Sequence, residues 1–264
     1  MKVELVCVGT ELLLGNILNT NAKYLSEKCA ELGLSLYYQT VVGDNDSRLA
    51  EMIKAAFERS DVVIFTGGLG PTSDDITKEV VSETFGLPLV YDEKAADDLT
   101  KRLNRFGVPI TNNNYKQAYV PEGCTVLYNH NGTAPGILIE KDGKIAILLP
   151  GPPKEMQPMF EEYCVPFFKE RSGLEIDSVM VKLIGIGESS AASKVEDIIE
   201  KSTNPTVAPY AKQTQVHLRI TARAESSEAC RALIDPVLAE IKGRLGEYIY
   251  TTDAEKDIED VVYD

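Results

Sequence analysis

The feature that most restricts this chain is an alternation. Over the first 150 residues, short β-rich runs take turns with segments of helical period, the pattern of βαβ units around a mostly parallel sheet. Strands are predicted at Lys2–Val8, Leu34–Val42, Asp61–Thr66 and Thr125–Tyr128, with a hairpin of Ile137–Glu140 and Lys144–Leu149 turning at Asp142-Gly143. Between them, Ala22, Leu25, Cys29 and Leu32 recur at helical spacing and Gly33 supplies a stop. Asp46 or Ser47 is placed to cap a second helix, with Leu49, Met52, Ile53 and Ala56 on its inner face. Further helices are predicted over Asp75–Phe85 and Glu93–Phe106, each ending at a glycine. Pro152-Pro153 opens another that runs toward Arg171.

The pattern changes near Ser172-Gly173. A strand (Val179–Ile184), a helix (Glu188–Glu200), a Pro-bounded stretch (Pro205–Pro209), a strand (Gln215–Ala222), a helix (Ser227–Leu245) and a short strand (Tyr248–Tyr250) follow. That is too little chain for a second nucleotide-binding fold and suits a compact α+β domain. The expected division is therefore residues 1–171, 172–250 and a linker-like acidic tail, 251–264.

Composition excludes several functions. With 27 Lys and Arg against 41 Asp and Glu the net charge is −14, which opposes partners that must first be held through phosphates, so neither nucleic acid nor an anionic membrane is expected. No apolar run is long enough to span a bilayer, and the amino terminus reads as a strand rather than a leader. Five dispersed cysteines form neither a disulfide framework nor a CxxC metal site; they fit small buried hydrophobes in a reducing cytoplasm.

Chemistry concentrates where predicted strands end. Thr66-Gly67-Gly68-Leu69-Gly70-Pro71-Thr72-Ser73-Asp74-Asp75-Ile76-Thr77 leaves an apolar strand and enters a helix, at the sheet edge where ligands of open α/β folds bind. Its glycines allow N–H groups close to a phosphate, the helix start adds a favourable dipole, and Thr66, Thr72, Ser73 and Thr77 add hydroxyls. The same residues also read as a tight turn with Thr72 and Asp75 in capping-box register. Asp74 and Asp75 would repel a phosphate unless a divalent cation bridged them, or they serve only the helix dipole. Two more junctions point to the same edge: Gly9-Thr10-Glu11 after the first strand and Pro150-Gly151-Pro152-Pro153-Lys154-Glu155 after the hairpin. Glu11 and Glu155 would then converge with the two aspartates, although a solvated loop and a helix first turn account for each alone. The polar loop Asn129–Gly136 resembles a functional loop.

Other signals do not develop. Gly185-Ile186-Gly187-Glu188 lacks a third glycine, no GxxxxGK[ST] occurs, and two histidines without a GxSxG elbow disfavour a Ser-His hydrolase. His217 alternates with Val216, Leu218 and Ile220 and is expected on a solvent face.

Taken in order, Gly9-Thr10-Glu11-Leu12-Leu13-Leu14-Gly15, Thr66–Asp75, Asn131-Gly132-Thr133-Ala134-Pro135-Gly136 and Leu149–Met156 resemble the CinA (competence/damage-inducible protein) family. Gly185–Ser189 with Asn204–Ala208 resembles its small middle domain. The resemblance implies a three-layer α/β fold of the molybdopterin-binding (MoaB/Mog-like) type. Departures from the pterin-handling cousins at Thr10, Leu69 and Pro152-Pro153 follow the CinA pattern. It also implies a divalent-metal-dependent ADP-ribose pyrophosphatase yielding AMP and ribose 5-phosphate, with Mg²⁺, Mn²⁺ or Co²⁺, and K⁺ as a further candidate. In many members a nicotinamide-mononucleotide deamidase domain follows, and it is expected to lie beyond residue 264.

On that reading Asp75, Asp74 and Glu155 are catalytic, and Asp75, Glu11 and Glu155 hold the metal. Thr66, Gly67, Gly68, Gly70, Thr72, Thr77, Lys116, Asn131, Thr133, Gly136, Pro150 and Gly151 bind a small nucleotide substrate. A homodimer is expected. The competing reading is a non-catalytic module that retains a pterin or nucleotide; a third is a structural partner domain with no ligand.

Overall fold

A computed structural model describes residues 1–211 and 215–263. The chain divides into two compact units, Met1–Ala30 with Leu34–Phe168, and Glu31–Gly33 with Lys169–Asp264.

The first unit begins with β1 (Lys2–Val8), a single helical turn α1 (Thr10–Leu13), α2 (Thr20–Glu31), β2 (Ser35–Val42), α3 (Asp46–Arg59) and β3 (Val62–Thr66). It continues with α4 (Thr77–Thr84), β4 (Leu89–Tyr91), α5 (Glu93–Arg105), a 3₁₀ segment Asn112–Ala118, β5 (Tyr119–Pro121) and β6 (Thr125–Leu127). The hairpin β7 (Gly136–Lys141) and β8 (Lys144–Leu149) leads to α6 (Pro153–Met159), a π-helical turn Phe160–Cys164, and α7 (Val165–Ser172). Six strands form one sheet in the order β2-β1-β3-β8-β7-β6. β2, β1, β3 and β8 are parallel, β7 runs antiparallel to β8, and β6, antiparallel to β7, returns to the direction of the parallel set.

Strands β1 and β3 are apolar nearly throughout because helices cover both faces. Val6, Val8, Val63, Phe65 and Leu148 meet Leu49, Ile53 and Ala56 of α3 and Val80 and Val81 of α4. Residues of opposite parity, Leu5, Cys7, Ile64 and Ile147, are equally buried, and Leu25, Cys29, Met156 and Phe160 supply the buried faces of α2, α6 and the π-helical turn. The three-layer α/β expectation holds.

Local details differ for identifiable reasons. Asn45, not Asp46 or Ser47, caps α3, its side chain accepting from Arg48 N. A π-helical turn interrupts the rod opened by Pro153, between Pro158 and Pro166. The short pair β4 and β5 forms a separate antiparallel ribbon that three-residue runs did not announce. Glu4 lies in the middle of β1 with no exposure; Arg59 donates to both of its oxygens, at 2.9 and 2.6 Å.

The second unit contains β9 (Glu175–Ile184), α8 (Glu188–Lys194), α9 (Glu196–Lys201), β10 (Thr206–Ala211), β11 (Gln215–Ala224), α10 (Ser227–Leu245), β12 (Ile249–Thr251) and α11 (Ile258–Tyr263). Its sheet is antiparallel, β10-β11-β9-β12. The predicted helix 188–200 breaks at Val195, and the Pro-bounded stretch is strand β10. His217 is buried at 3% exposure and shares a hydrogen bond with Gln215 Oε1. It is therefore not the solvent-facing residue that alternation predicted. Lys182, also buried, donates to the carbonyls of Ala254 and Lys256, so the tail read as a linker is pinned before it forms α11. Asp264, at its end, lies outside the described residues. All five cysteines are free, and four are buried. Among the described residues no helix is long and apolar enough to cross a membrane.

Candidate functional site

Because β1, β3 and β8 are parallel neighbours, the residues that follow them emerge side by side. Cys7 pairs with Thr66, and Thr66 with Leu149. The three junctions wall a cleft of about 650 Å³. Of the expected site residues, Glu11, Thr66, Gly67, Gly68, Gly70, Asp74, Asp75, Thr133, Pro150, Gly151 and Glu155 line it. Thr72, Thr77, Lys116, Asn131 and Gly136 do not.

The turn after β3 is fixed from within. Gly67 N donates to Leu149 O at 3.0 Å, and Thr77 sends its hydroxyl to Gly67 O and its N–H to Gly68 O. Gly67 and Gly68 have φ of 101° and 68°, and an added Cβ would come within 2.2 Å of Val8 O and 2.1 Å of Thr77 Oγ1, respectively. Both glycines therefore make room for the protein's own atoms, a role the sequence did not announce. What the turn offers a ligand is its amides. Among the described residues no acceptor meets the N–H groups of Gly68, Leu69 and Gly70, a backbone arrangement suited to an anion.

Helix α4 starts at Thr77, so Asp74 and Asp75 precede it rather than occupy its first turn. Asp75 Oδ2 accepts from Thr72 N at 2.9 Å and from the Thr72 hydroxyl, which closes a separate turn ahead of the helix. The Thr72 side chain and Asp74's own backbone hold the Asp74 carboxyl below its usual range.

Five carboxylates line the cleft, Glu11, Asp44, Asp74, Asp75 and Glu155, and among the described residues no Lys, Arg or His does. Three of them lie over glycines. A Cβ on Gly9 would come within 2.6 Å of Glu11 Oε1, one on Gly70 within 2.3 Å of Asp75 Oδ2, and one on Gly132 within 1.7 Å of Glu155 Oε2. Asn129 Nδ2 holds Glu155 Oε2 at 2.8 Å, and Asp44 receives the Thr10 N–H and hydroxyl. Asp44, Asp75 and Glu155 thus each have their own hydrogen-bond partner, and among the described residues no three His, Cys, Asp or Glu side chains gather where they could hold a metal. The expected shell of Asp75, Glu11 and Glu155 is present as lining, not as a preassembled cage. Oxygen donors spread around a cleft fit a hard cation that completes its coordination with a ligand's phosphate.

The expected ligand contacts that fall outside the cleft have structural work. Lys116 Nζ donates to Thr72 O and Asp75 O and lies 3.7 Å from Glu79, bracing the turn from outside the cleft. Lys78, buried beside it, donates to Lys116 O at 2.6 Å, and burial lowers its ammonium to about 8. Asn131 N donates to Asn129 Oδ1 within its own loop. At Gly136 a Cβ would meet Met159 Sδ and Leu148 O.

Several lining residues escaped the sequence reading, among them Asp44, Asn21 and Gln117. Asp44 follows β2 as Gly43-Asp44, a strand-end signal of the kind that identified the others. Asn21 and Gln117 carried none, since their partners are distant. Asn21 Nδ2 bridges Thr66 Oγ1 and Gly151 O, and Gln117 Nε2 donates to Leu69 O.

Residues 4–170 match the family described as "Probable molybdopterin binding domain", and residues 178–251 match "Damage-inducible protein CinA KH domain". A protein of Caldicellulosiruptor bescii named "Putative competence-damage inducible protein" is 56% identical, and one of the same name from Clostridium beijerinckii is 50% identical. Each alignment covers 99% of this chain, which spans 64% of the relative's length. A solved structure of the protein CinA from Thermoplasma acidophilum, described as of unknown function, is 32% identical with a TM-score of 0.58, over 65% of this chain and 98% of that one. These findings correct the expectation of an ADP-ribose pyrophosphatase. The matched domain is described by binding, none of these relatives is named for hydrolysis, and the carboxylates proposed for the chemistry are held apart. A non-catalytic binding module agrees better with all three. With that binding domain matched over more than half its length and a CinA KH domain after it, the chain belongs to the CinA family.

Proposed function

We propose that the first unit is a non-catalytic binding module for a small phosphate-bearing molecule of the nucleotide or molybdopterin kind. One observation carries this: three consecutive backbone N–H groups without acceptors, Gly68 to Gly70, line a cleft of about 650 Å³ at the carboxyl edge of a parallel sheet. That volume lies within the range of small-molecule sites. The phosphate faces these amides, and the rest of the ligand lies between Thr133 and the Pro150-Gly151 junction.

An anion entering a cleft that, among the described residues, has five carboxylates and no basic side chain needs a counter-charge. A divalent cation carried in on the phosphate supplies it; among the described residues no three carboxylates gather into a site of their own, so Asp75 or Glu155 would each add a single oxygen to the shell that the phosphate begins. Calorimetric titration with AMP, with and without MgCl₂, tests the proposal. Saturable binding that strengthens at least tenfold with Mg²⁺ supports it; no heat with AMP or a pterin phosphate in either condition overturns it.

A further inference from the structure

The three carbonyls that precede the open amides of the β3 turn are each held by a buried donor. Gly67 O accepts from the Thr77 hydroxyl at 2.9 Å, Gly68 O from Thr77 N at 3.1 Å, and Leu69 O from Gln117 Nε2 at 3.2 Å. Thr77 has no exposure and Gln117 only 3%. In a planar trans peptide the N–H points opposite to the C=O across the same bond. Tying down the oxygens of Gly67, Gly68 and Leu69 therefore turns the N–H groups of Gly68, Leu69 and Gly70 to the other side, where these three residues line the cleft. They are the amides that meet no acceptor among the described residues. Pro71, which has no N–H, ends the series.

The turn does not hold itself in this arrangement. Gly67 and Gly68 have φ of 101° and 68°, and the freedom of glycine lets a peptide plane rotate and present its oxygen instead. One such rotation would set a carbonyl dipole against an anion. Resting on the binding reading above, we infer that Thr77 and Gln117 are positioning residues: acting through the backbone, they lock three successive peptide planes so that the N–H groups of Gly68, Leu69 and Gly70 face the phosphate. Thr77, at the start of α4, locks two planes, one with its hydroxyl and one with its own N–H. Gln117, in the 3₁₀ segment, locks the third. Donors aligned in advance need no ordering when the ligand arrives.

The test removes one lock at a time. Thr77→Val deletes the hydroxyl at nearly constant shape and keeps the N–H bond to Gly68 O; Gln117→Leu deletes the donor to Leu69 O. Each is checked for a wild-type thermal transition, with Thr77→Ala and Gln117→Met replacing a variant that does not fold. The variants are titrated calorimetrically, with MgCl₂, against AMP or a phosphorylated pterin, whichever the wild-type chain binds. Each should bind at least fivefold more weakly than wild type, and Thr77→Ser, which returns a hydroxyl, should recover most of the loss. Amide ¹H–¹⁵N spectra at saturating ligand separate aiming from general loosening. Thr77→Val should lose most of the ligand-induced shift at Gly68 and keep that at Gly70; Gln117→Leu should do the reverse. Affinity within twofold of wild type in both folded variants overturns the inference and leaves phosphate binding standing. Equal loss of shift at Gly68 and Gly70 in both variants also overturns it. Failure of both ligands to bind the wild-type chain overturns the binding reading and this inference together.

Discussion

The carboxylate of Asp75 lies against Gly70, where a Cβ would approach Oδ2 to 2.3 Å. Gly132 relates to Glu155 in the same way, at 1.7 Å. In each case the glycine sets where an acidic side chain can rest on the cleft wall. Because the obstructed atoms are the far ends of side chains, Gly70→Ala and Gly132→Ala should fold and move the carboxylate. The expected result is a loss of Mg²⁺-dependent AMP affinity of tenfold or more, with the melting transition little changed. Wild-type affinity in both variants would show that the carboxylate positions do not matter.

Gly68→Ala differs in kind. Gly68 has φ 68°, and its Cβ would sit 2.1 Å from Thr77 Oγ1, so the cost falls on the fold. A left-handed alanine costs about 1 kcal/mol, and the clash adds to it. Urea unfolding should register a loss of at least that size; an unchanged midpoint contradicts the turn geometry.

Asp75→Asn separates the two roles of that residue. The amide oxygen can still accept from Thr72 N, so the turn should persist, but the charge a hard cation needs is gone. AMP binding should lose most of its response to Mg²⁺. A wild-type response would confine Asp75 to bracing the turn.

The sheet edge was legible in the sequence for a simple reason. β1, β3 and β8 are buried on both faces, so their apolar runs stand out, and Gly9, Gly67 and Pro150 mark their ends. What the glycines do was not legible. Gly67 yields to Val8 O across the sheet, a contact no local pattern reports. Lys116 failed for the same reason, since Thr72 and Asp75 are more than forty residues away along the chain. Asn21 depends on Gly151, a partner 130 residues distant. The start of α4 was misjudged because Thr72 and Asp75 do pair as expected, but in a turn that ends before the helix begins.

Lys78 gives a pH signature. Burial, its largest perturbation, lowers the ammonium from 10.5 to about 8. Below pH 8 both folded and unfolded chains hold the proton, and the desolvation cost is fully present. Between about 8 and 10.5 the unfolded chain retains a proton that the folded chain has lost, so this group's contribution to stability rises with pH. Wild-type stability should therefore gain on that of Lys78→Met from pH 8 to 10 in urea titrations. Parallel curves would contradict this burial.

The pairing of buried Glu4 in β1 with the part-exposed Arg59 at the end of α3 should be costly to break. Glu4 has no exposure, and Arg59 supplies its bidentate partner. Arg59→Met leaves a charged carboxylate inside the sheet, with an expected loss of about 3 kcal/mol in urea unfolding at pH 7. A loss below about 1 kcal/mol would mean that water reaches Glu4.

The central claim is that the turn after β3 receives a phosphate through its backbone. Amide ¹H–¹⁵N spectra of the chain titrated with AMP and MgCl₂ test this most directly. The account requires the largest shifts at Gly68, Leu69 and Gly70, with smaller ones at Glu11 and Gly151. Saturable shifts confined to other residues, with these amides unmoved, would contradict it.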